Sequence, residues 1–256
     1  MNKINTKGFA IIQKWLRKKG QKPFLFQQQA WEKIVAGESG MVNAPTGYGK
    51  TYAVFLGALI QFINDHPDNY LCAGNNGLRL LWISPLRALA KDIGRAMEEV
   101  ILELGMPWRV AIRNGDTPVS ERQKQKRKMP EVLIITPESL HLLLAQKGYP
   151  EIFKDLKIIA VDEWHELLGN KRGVQVELAI ASIVNICLKF DVRSSMLGVL
   201  TSNLKLQTSN LEPRTSNLKL QTLRLGNFCY HRQSGRSQRS TPLPHRQTGF
   251  YHISNF

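Results

Sequence analysis

Cysteine is scarce in this chain: Cys72, Cys187 and Cys229 are the only three, far apart and odd in number. They make neither a disulfide framework nor a zinc-ligand spacing, so the expected setting is a reducing cytoplasm. No apolar run approaches the roughly 20 residues that a bilayer span requires. The opening MNKINTKGFAIIQKWLRKKG flanks a very short apolar patch with basic residues on both sides, which is not the build of a signal peptide. A second histidine is missing from HELLG, where Gly169 stands, so zinc-protease chemistry is excluded. Acid is scarce towards the end. After Asn185 there are 10 Lys+Arg against 2 Asp+Glu, a charge of +8, whereas the preceding residues carry 25 against 18, or +7. A basic balance of this kind suits nucleic acid or an anionic membrane through counterion release.

What is present is enough apolar material for one globular domain: 256 residues, 43% hydrophobic and 21% charged. Helical spacing in FAIIQKWLRKK and FQQQAWEKIVAG predicts two helices, interrupted by Pro23. Continuous apolar strands then alternate with helices: GMVNA, YAVFLGALIQFIN, RLLWISP, LRALAKDIGRAMEEVILELG, WRVAIRNG, SERQKQKRK, EVLIITP, ESLHLLLAQ, KIIAVDEW and VQVELAIASIVNICL. That alternation predicts an α/β fold with a parallel sheet covered by helices on both faces. KQKRK, residues 124–128, reads as the solvated face of a surface helix.

Near residue 190 the alternation stops, which sets expected boundaries of 1–190 for the folded domain and 191–256 for a basic, low-complexity tail. The tail contains TSNLKLQ-TSNLEPR-TSNLKLQ-T, three copies of a seven-residue unit. This is no coiled coil, because its most apolar positions are shared with Lys and Pro and Pro213 lies mid-repeat. The simplest reading is repetitive non-coding DNA translated after an insertion or frameshift. The other is a disordered basic tail belonging to the protein, since such composition cannot offset its ordering entropy.

Two segments carry recognisable chemistry. APTGYGKT, comprising Ala44, Pro45, Thr46, Gly47, Tyr48, Gly49, Lys50 and Thr51, joins a strand to a helix, as a phosphate-binding loop requires. Gly47 and Gly49 let backbone N–H groups face the phosphates, Lys50 reaches the β- and γ-phosphates of ATP, and the Thr51 hydroxyl suits Mg²⁺. VDEWHE follows the buried strand KIIA. Asp162 is placed to hold Mg²⁺ together with Thr51, and Glu163 to polarise the attacking water, with Lys50 as its catalytic companion.

Asp-Glu-x-His after a phosphate loop in a basic chain resembles the superfamily 2 DExH-box helicases, in particular the Lhr-type, ligase-associated bacterial branch. The similarity covers about residues 8–182. PFLFQ is similar to an adenine-reading Q motif with Gln27 as the base contact. LWISPLRALAKDI, NGDTP and ITPESL resemble the strand-binding motifs. The resemblance implies a first RecA-like P-loop NTPase domain that uses ATP and Mg²⁺. It implies contact with nucleic acid, DNA rather than RNA, through Pro85, Leu86, Arg87, Gly115, Asp116, Thr117, Thr136, Pro137 and Glu138. It also implies a coupling role for His165 and repair partners such as a DNA ligase. GNKRGVQVEL after DEWHEL is the branch-specific part.

The departures from the pattern matter as much. Ala44 replaces the usual first glycine of the loop. The Ser-Ala-Thr of motif III occurs nowhere in the chain, and SMLGVLTSN, with Thr201 and Ser202 near the expected place, reads as a coincidence instead of a remnant of it. The polar tail is too short for a second RecA-like domain. The expected product is therefore an ATP- and nucleic-acid-binding fragment unable to unwind alone. The competing readings are a motor completed by a partner chain and a non-enzymatic nucleic-acid-binding module.

Overall fold

The computed structural model describes residues 6–45, 47–72, 74–199 and 226–232, apart from the side chains of 188, 189, 191–199 and 226–232. The repeat at 201–222 lies outside the described residues, as does Thr46 of the phosphate loop. Helix α1 (Lys7–Lys18) starts where the Thr6 hydroxyl accepts the Phe9 N–H, and it buries Phe9, Ile12, Trp15 and Leu16. Arg17 and Lys18 lie in its last turn, where cations oppose the carbonyl end of the helix dipole. Pro23 forces extended backbone before α2 (Leu25–Val35), which buries Ala30, Trp31 and Ile34.

Next come β1 (Gly40–Ala44), α3 (Lys50–Asp65), β2 (Leu80–Ile83), α4 (Arg87–Leu104), β3 (Val110–Arg113) and α5 (Val119–Arg127). They are followed by β4 (Val132–Ile135), α6 (Pro137–Leu144), a 3-10 turn at Tyr149–Ile152, β5 (Ile158–Asp162), α7 (Trp164–Leu167), α8 (Lys171–Val199) and β6 (Gly226–Arg232). All strand pairs are parallel, in the order β1-β6-β5-β2-β4-β3.

The central strands show why this must be a two-sided sheet. Leu80, Trp82, Val132, Ile134, Ile158 and Ala160 face one core, with α1 to α4. Their chain neighbours Leu81, Ile83, Leu133, Ile135, Ile159 and Val161 face the other, with α6, α7 and α8. Alternate side chains point to opposite faces, so a strand buried on both must be apolar at every position. A charge placed at Leu81 or Trp82, both 0% exposed, has no wet side to escape to.

Two features extend past the expected boundary at residue 190. Helix α8 continues to Val199, and Gly226–Arg232 enters the sheet between β1 and β5. Only Phe228, Cys229 and Tyr230 in that strand are apolar, amid an arginine-rich sequence, so its own pattern does not announce it. The sheet, which pairs it on both sides, places it. Among the described residues no helix is long and apolar enough to cross a membrane.

Candidate functional site

Every parallel strand ends on the same edge of the sheet, and backbone groups freed there face the loops that follow. The expected residues divide between two halves of that edge. One half lies at the ends of β1 and β5, the other at the ends of β2, β3 and β4.

In the first half, Ala44 closes β1 and the loop turns through Gly47 (φ +84°) and Gly49 (φ +73°). Both angles lie in the left-handed region, which suits glycine because a Cβ would clash with its own carbonyl. Gly49 is also the N-cap of α3, so the first free N–H groups of that helix face the loop. Lys50 is 1% exposed, and its ammonium donates to the Ala44 carbonyl, folding the loop onto itself. Pro45 and Tyr48 are exposed, and Thr51 is half-buried on the first turn of α3.

Gln27 bridges two backbone segments beside the loop. Its Oε1 accepts the Phe24 N–H at 3.0 Å, while its Nε2 donates to the Gly49 carbonyl at 3.0 Å. The 5% exposed side chain thus ties the start of α2 to the turn of the loop. Phe24 meets Tyr48 at 5.5 Å and stacks on Phe26 at 5.8 Å, giving the loop an exposed aromatic flank.

At the end of β5, Asp162 is 1% exposed and Glu163 3%. Glu163 has φ +50°, the one positive-φ non-glycine among the described residues. Holding a branched-off side chain in that region costs about 1–3 kcal/mol, and such strain collects at working sites. Glu163 is the N-cap residue at which α7 starts. His165 then lies between two acids, Nδ1 at 3.4 Å from Glu163 and Nε2 at 3.2 Å from Glu166.

The second half is more open. Pro85 is buried and Leu86 exposed, and Arg87, the first residue of α4, reaches Asp116 at 3.1 Å. Asp116 belongs to a tight turn: Asn114 Oδ1 accepts the Asp116 N–H at 2.9 Å, and the Asn114 N–H donates to Thr117 Oγ1 at 2.9 Å. The Arg87 guanidinium lies over Gly115, where a Cβ would be 2.9 Å from Nη2. Thr136 caps the strand end of β4, its N–H on the Arg113 carbonyl and its hydroxyl on Ser139 at 3.2 Å. Pro137 opens α6, a position where its missing N–H costs nothing.

Glu138 and its partner were not both visible in the sequence. Arg172, at the start of α8, brings Nε to 2.7 Å from Glu138 and donates from Nη2 to the Pro85 carbonyl at 3.0 Å. One guanidinium therefore joins three loops. Burial works to raise the Glu138 carboxyl, but its own backbone N–H and Arg172 together hold it below the ordinary carboxylate value. The only available clue was the position of Arg172 in GNKRG, directly after the acidic segment. The expected basic face of α5 is solvated: Lys124, Lys126, Arg127 and Lys128 are exposed, and Gln125 points inward.

A family model described as DEAD/DEAH box helicase matches residues 24–197. The chain is 34% identical over 177 residues to the Lhr helicase/uracil glycosylase of Escherichia coli (strain K12), which aligns 65% of this chain and 11% of that protein. It is 36% identical over 185 residues to the ATP-dependent helicase Lhr-Core protein 2 of Thermococcus barophilus, 68% of this chain and 21% of that one. Its fold superposes on the structure of Mycobacterium smegmatis helicase Lhr bound to ssDNA and AMP-PNP with a TM-score of 0.61 and 32% identity. That match covers 69% of this chain and 23% of the larger one. The aligned region thus spans about a fifth or less of the length of these curated relatives.

Proposed function

The chain belongs to the DEAD/DEAH box helicase family, and from that premise we propose that it is the ATP- and DNA-binding first domain of an Lhr-type helicase. The reading is carried by one observation. Lys50, Asp162 and Glu163, all nearly fully buried, lie at the start of α3, at the end of β5 and in the turn after it, on a sheet edge that also carries the loops after β2, β3 and β4. Buried charges of both signs at strand ends make poor stability devices, because each costs desolvation, but they suit a polyphosphate and its counter-ion.

In this reading, the N–H groups at the start of α3 and the Lys50 ammonium receive the phosphates, once Lys50 leaves the Ala44 carbonyl. The donor set fits Mg²⁺: a hydroxyl from Thr51 and a carboxylate from Asp162 are hard oxygen ligands. Among the described residues no group of three or more His, Cys, Asp or Glu could cage a metal. That suits an ion that takes its remaining ligands from phosphate and water. Bound Mg²⁺ would neutralise developing phosphate charge. Glu163 orients the attacking water, and His165 links that carboxylate to Glu166. Gln27 carries the loop's state to α2 through the Gly49 carbonyl. Pro85, Leu86, Arg87, Gly115, Asp116, Thr117, Thr136, Pro137 and Glu138 form the surface for one nucleic-acid strand.

Hydrolysis in related NTPases gains about 10³–10⁵ from an arginine finger, equivalent to about 4–7 kcal/mol. In this reading a second RecA-like domain supplies it, and this chain by itself holds Mg-ATP without turning it over. Calorimetry is expected to show modest Mg-ATP affinity that Lys50→Ala abolishes, and equal affinity in both proteins overturns the assignment. ATPase activity is expected near background and indifferent to single-stranded DNA. Multiple-turnover, DNA-stimulated hydrolysis that Glu163→Gln removes would instead establish a motor completed by a second chain.

A further inference from the structure

At the far edge of the sheet from the phosphate loop, a cavity of about 320 Å³ opens between α5 and α6. Its polar lining is Arg113, Arg122, Gln123, Lys126, Ser139 and Gln146, with no aspartate or glutamate. Arg113 is the last residue of β3 and only 4% exposed. Its Nη1 is buried without a hydrogen-bond partner among the described residues, and no carboxylate pairs with the side chain. Arg122 donates from Nη2 to the Asn114 carbonyl at 3.0 Å and the Gly115 carbonyl at 3.2 Å, and its Nε is likewise buried without a partner. Burial first, and then Arg122, push the Arg113 guanidinium below its ordinary pKa.

Two guanidiniums held together in a partly dry site, without a counter-charge, oppose folding. The arrangement becomes favourable when an anion enters. A planar guanidinium donates two parallel hydrogen bonds, a match for the oxygens of a phosphate group, and the neighbouring amides add further donors. We propose that the Arg113–Arg122 cavity is an oxyanion site that takes a phosphate group, separate from the nucleotide loop. Arg122 grips the carbonyls of the Asn114–Gly115 turn, and Ser139 follows Thr136–Glu138 directly, so the cavity adjoins the proposed strand surface. A backbone phosphate of a nucleic-acid strand is therefore the expected source. That last assignment rests on the strand-binding reading, whereas the site itself rests only on the cavity.

The test uses inorganic phosphate with the full chain and its Lys50→Ala variant, which silences the nucleotide loop. Thermal stabilisation by phosphate should persist in Lys50→Ala and disappear when Arg113→Met or Arg122→Gln is added. Without phosphate, Arg113→Met should match or exceed the parent in Tm, because it removes an uncompensated buried charge. A purely structural arginine would give the opposite sign. Phosphate stabilisation that survives Arg113→Met and Arg122→Gln overturns the proposal, as does a lower Tm for Arg113→Met in phosphate-free buffer. For the source, the salt dependence of single-stranded DNA binding should lose about one unit of slope in Arg122→Gln. An unchanged slope in Arg122→Gln, together with loss of phosphate stabilisation in that variant, assigns the site to free phosphate and leaves it standing.

Strand β6 supports a second, independent inference. Its residues Phe228, Cys229 and Tyr230 are specified by codons of the form TTY, TGY and TAY, and His231 by CAY. Read one nucleotide later, the three bridging codons become TYT, GYT and AYC. These specify Phe or Ser, then Val or Ala, then Ile or Thr. Ser-Ala-Thr, the tripeptide absent from the chain, is among the readings. The place also agrees: Phe228 pairs with Ala160, Cys229 with Val161 and Tyr230 with Asp162, so the third residue lies beside the acid of the nucleotide half. The tandem repeat ending at Thr222, only a few residues earlier, reads as inserted repetitive DNA, and an insertion whose length is not a multiple of three displaces the frame downstream of it. We infer that Gly226–Arg232 is the neighbouring-frame translation of a Ser-Ala-Thr segment, and that a length change upstream of codon 226 displaced the frame. Sequencing the gene decides it. Phe228, Cys229 and Tyr230 must be encoded by TTC, TGC and TAC, and the shifted frame must stay open past codon 256. One of those codons ending in T, or a stop in the shifted frame within that stretch, overturns the inference and leaves the nucleotide reading untouched.

Discussion

The two halves of the sheet edge treat charge in opposite ways. After β1 and around the end of β5, Lys50, Asp162 and Glu163 are between 1% and 3% exposed. At β2, β3 and β4, the Arg87–Asp116 pair is 57% and 73% exposed, and Arg172–Glu138 is 39% and 51%. In the proposed reading, charge in the first half would act through low-dielectric contact with one ligand, and in the second through many weak, screened contacts. A single substitution should therefore disable the nucleotide half but only erode the strand half. Equal sensitivity in the two halves would break that contrast.

The largest effect after loss of Lys50 is expected at Asp162. Asp162→Asn keeps the shape of the side chain but removes the charge proposed to face Mg²⁺. Affinity for Mg-ATP should fall at least tenfold, about 1.4 kcal/mol, while affinity for ATP in EDTA stays near that of the parent. Titration calorimetry under both conditions checks this, and equal losses with and without Mg²⁺ would remove Asp162 from the metal site. An intermediate effect is expected at Arg87. Arg87→Ala should weaken single-stranded DNA binding several-fold at low salt, reduce the salt slope by about one, and leave sequence preference unchanged. A base-dependent loss would mean that Arg87 reads bases instead of the backbone.

How far the chain could be read before folding follows the same division. The local geometry of the first half was legible because its parts are contiguous: Ala44 to Thr51 and Val161 to Glu166 each state a strand end, a turn and a helix start in a few letters. The two-sided burial of β2, β4 and β5 was legible for the same reason, since LLWI, VLII and IIAV leave no polar face. What stayed hidden depends on distance in the chain. Arg172 reaches the Pro85 carbonyl across 87 positions, and Gln27 reaches the Gly49 carbonyl across 22. The positive φ of Glu163 is a property of the turn it must make, not of its residue type. Arg113 and Arg122 read as ordinary basic residues until α5 and α6 close around them. Strand β6 was hidden for another reason: little in its local pattern asks for a strand.

The smallest expected effect is one of pH, and it tests whether Arg172 joins the strand half together. Glu138 is held below the ordinary carboxylate value, so its charged form is favoured in the folded state. The sign follows directly. The unfolded state, with the higher pKa of about 4.3, binds the proton first. Stability from the pair is therefore fully present above that value and is lost as pH falls through the lower, folded value. Because both partners are more than a third exposed, solvent screening limits the effect to about 0–1 kcal/mol. Glu138→Gln should lower Tm slightly at neutral pH and match the parent well below pH 4, with the difference shrinking further in high salt. Arg172→Met should reproduce that pH dependence and add a constant loss, because the Pro85 carbonyl also loses its donor. Two variants with the same pH-independent loss would show that Arg172 serves the Pro85 loop alone, and that the strand half is held by backbone hydrogen bonds instead of its charges.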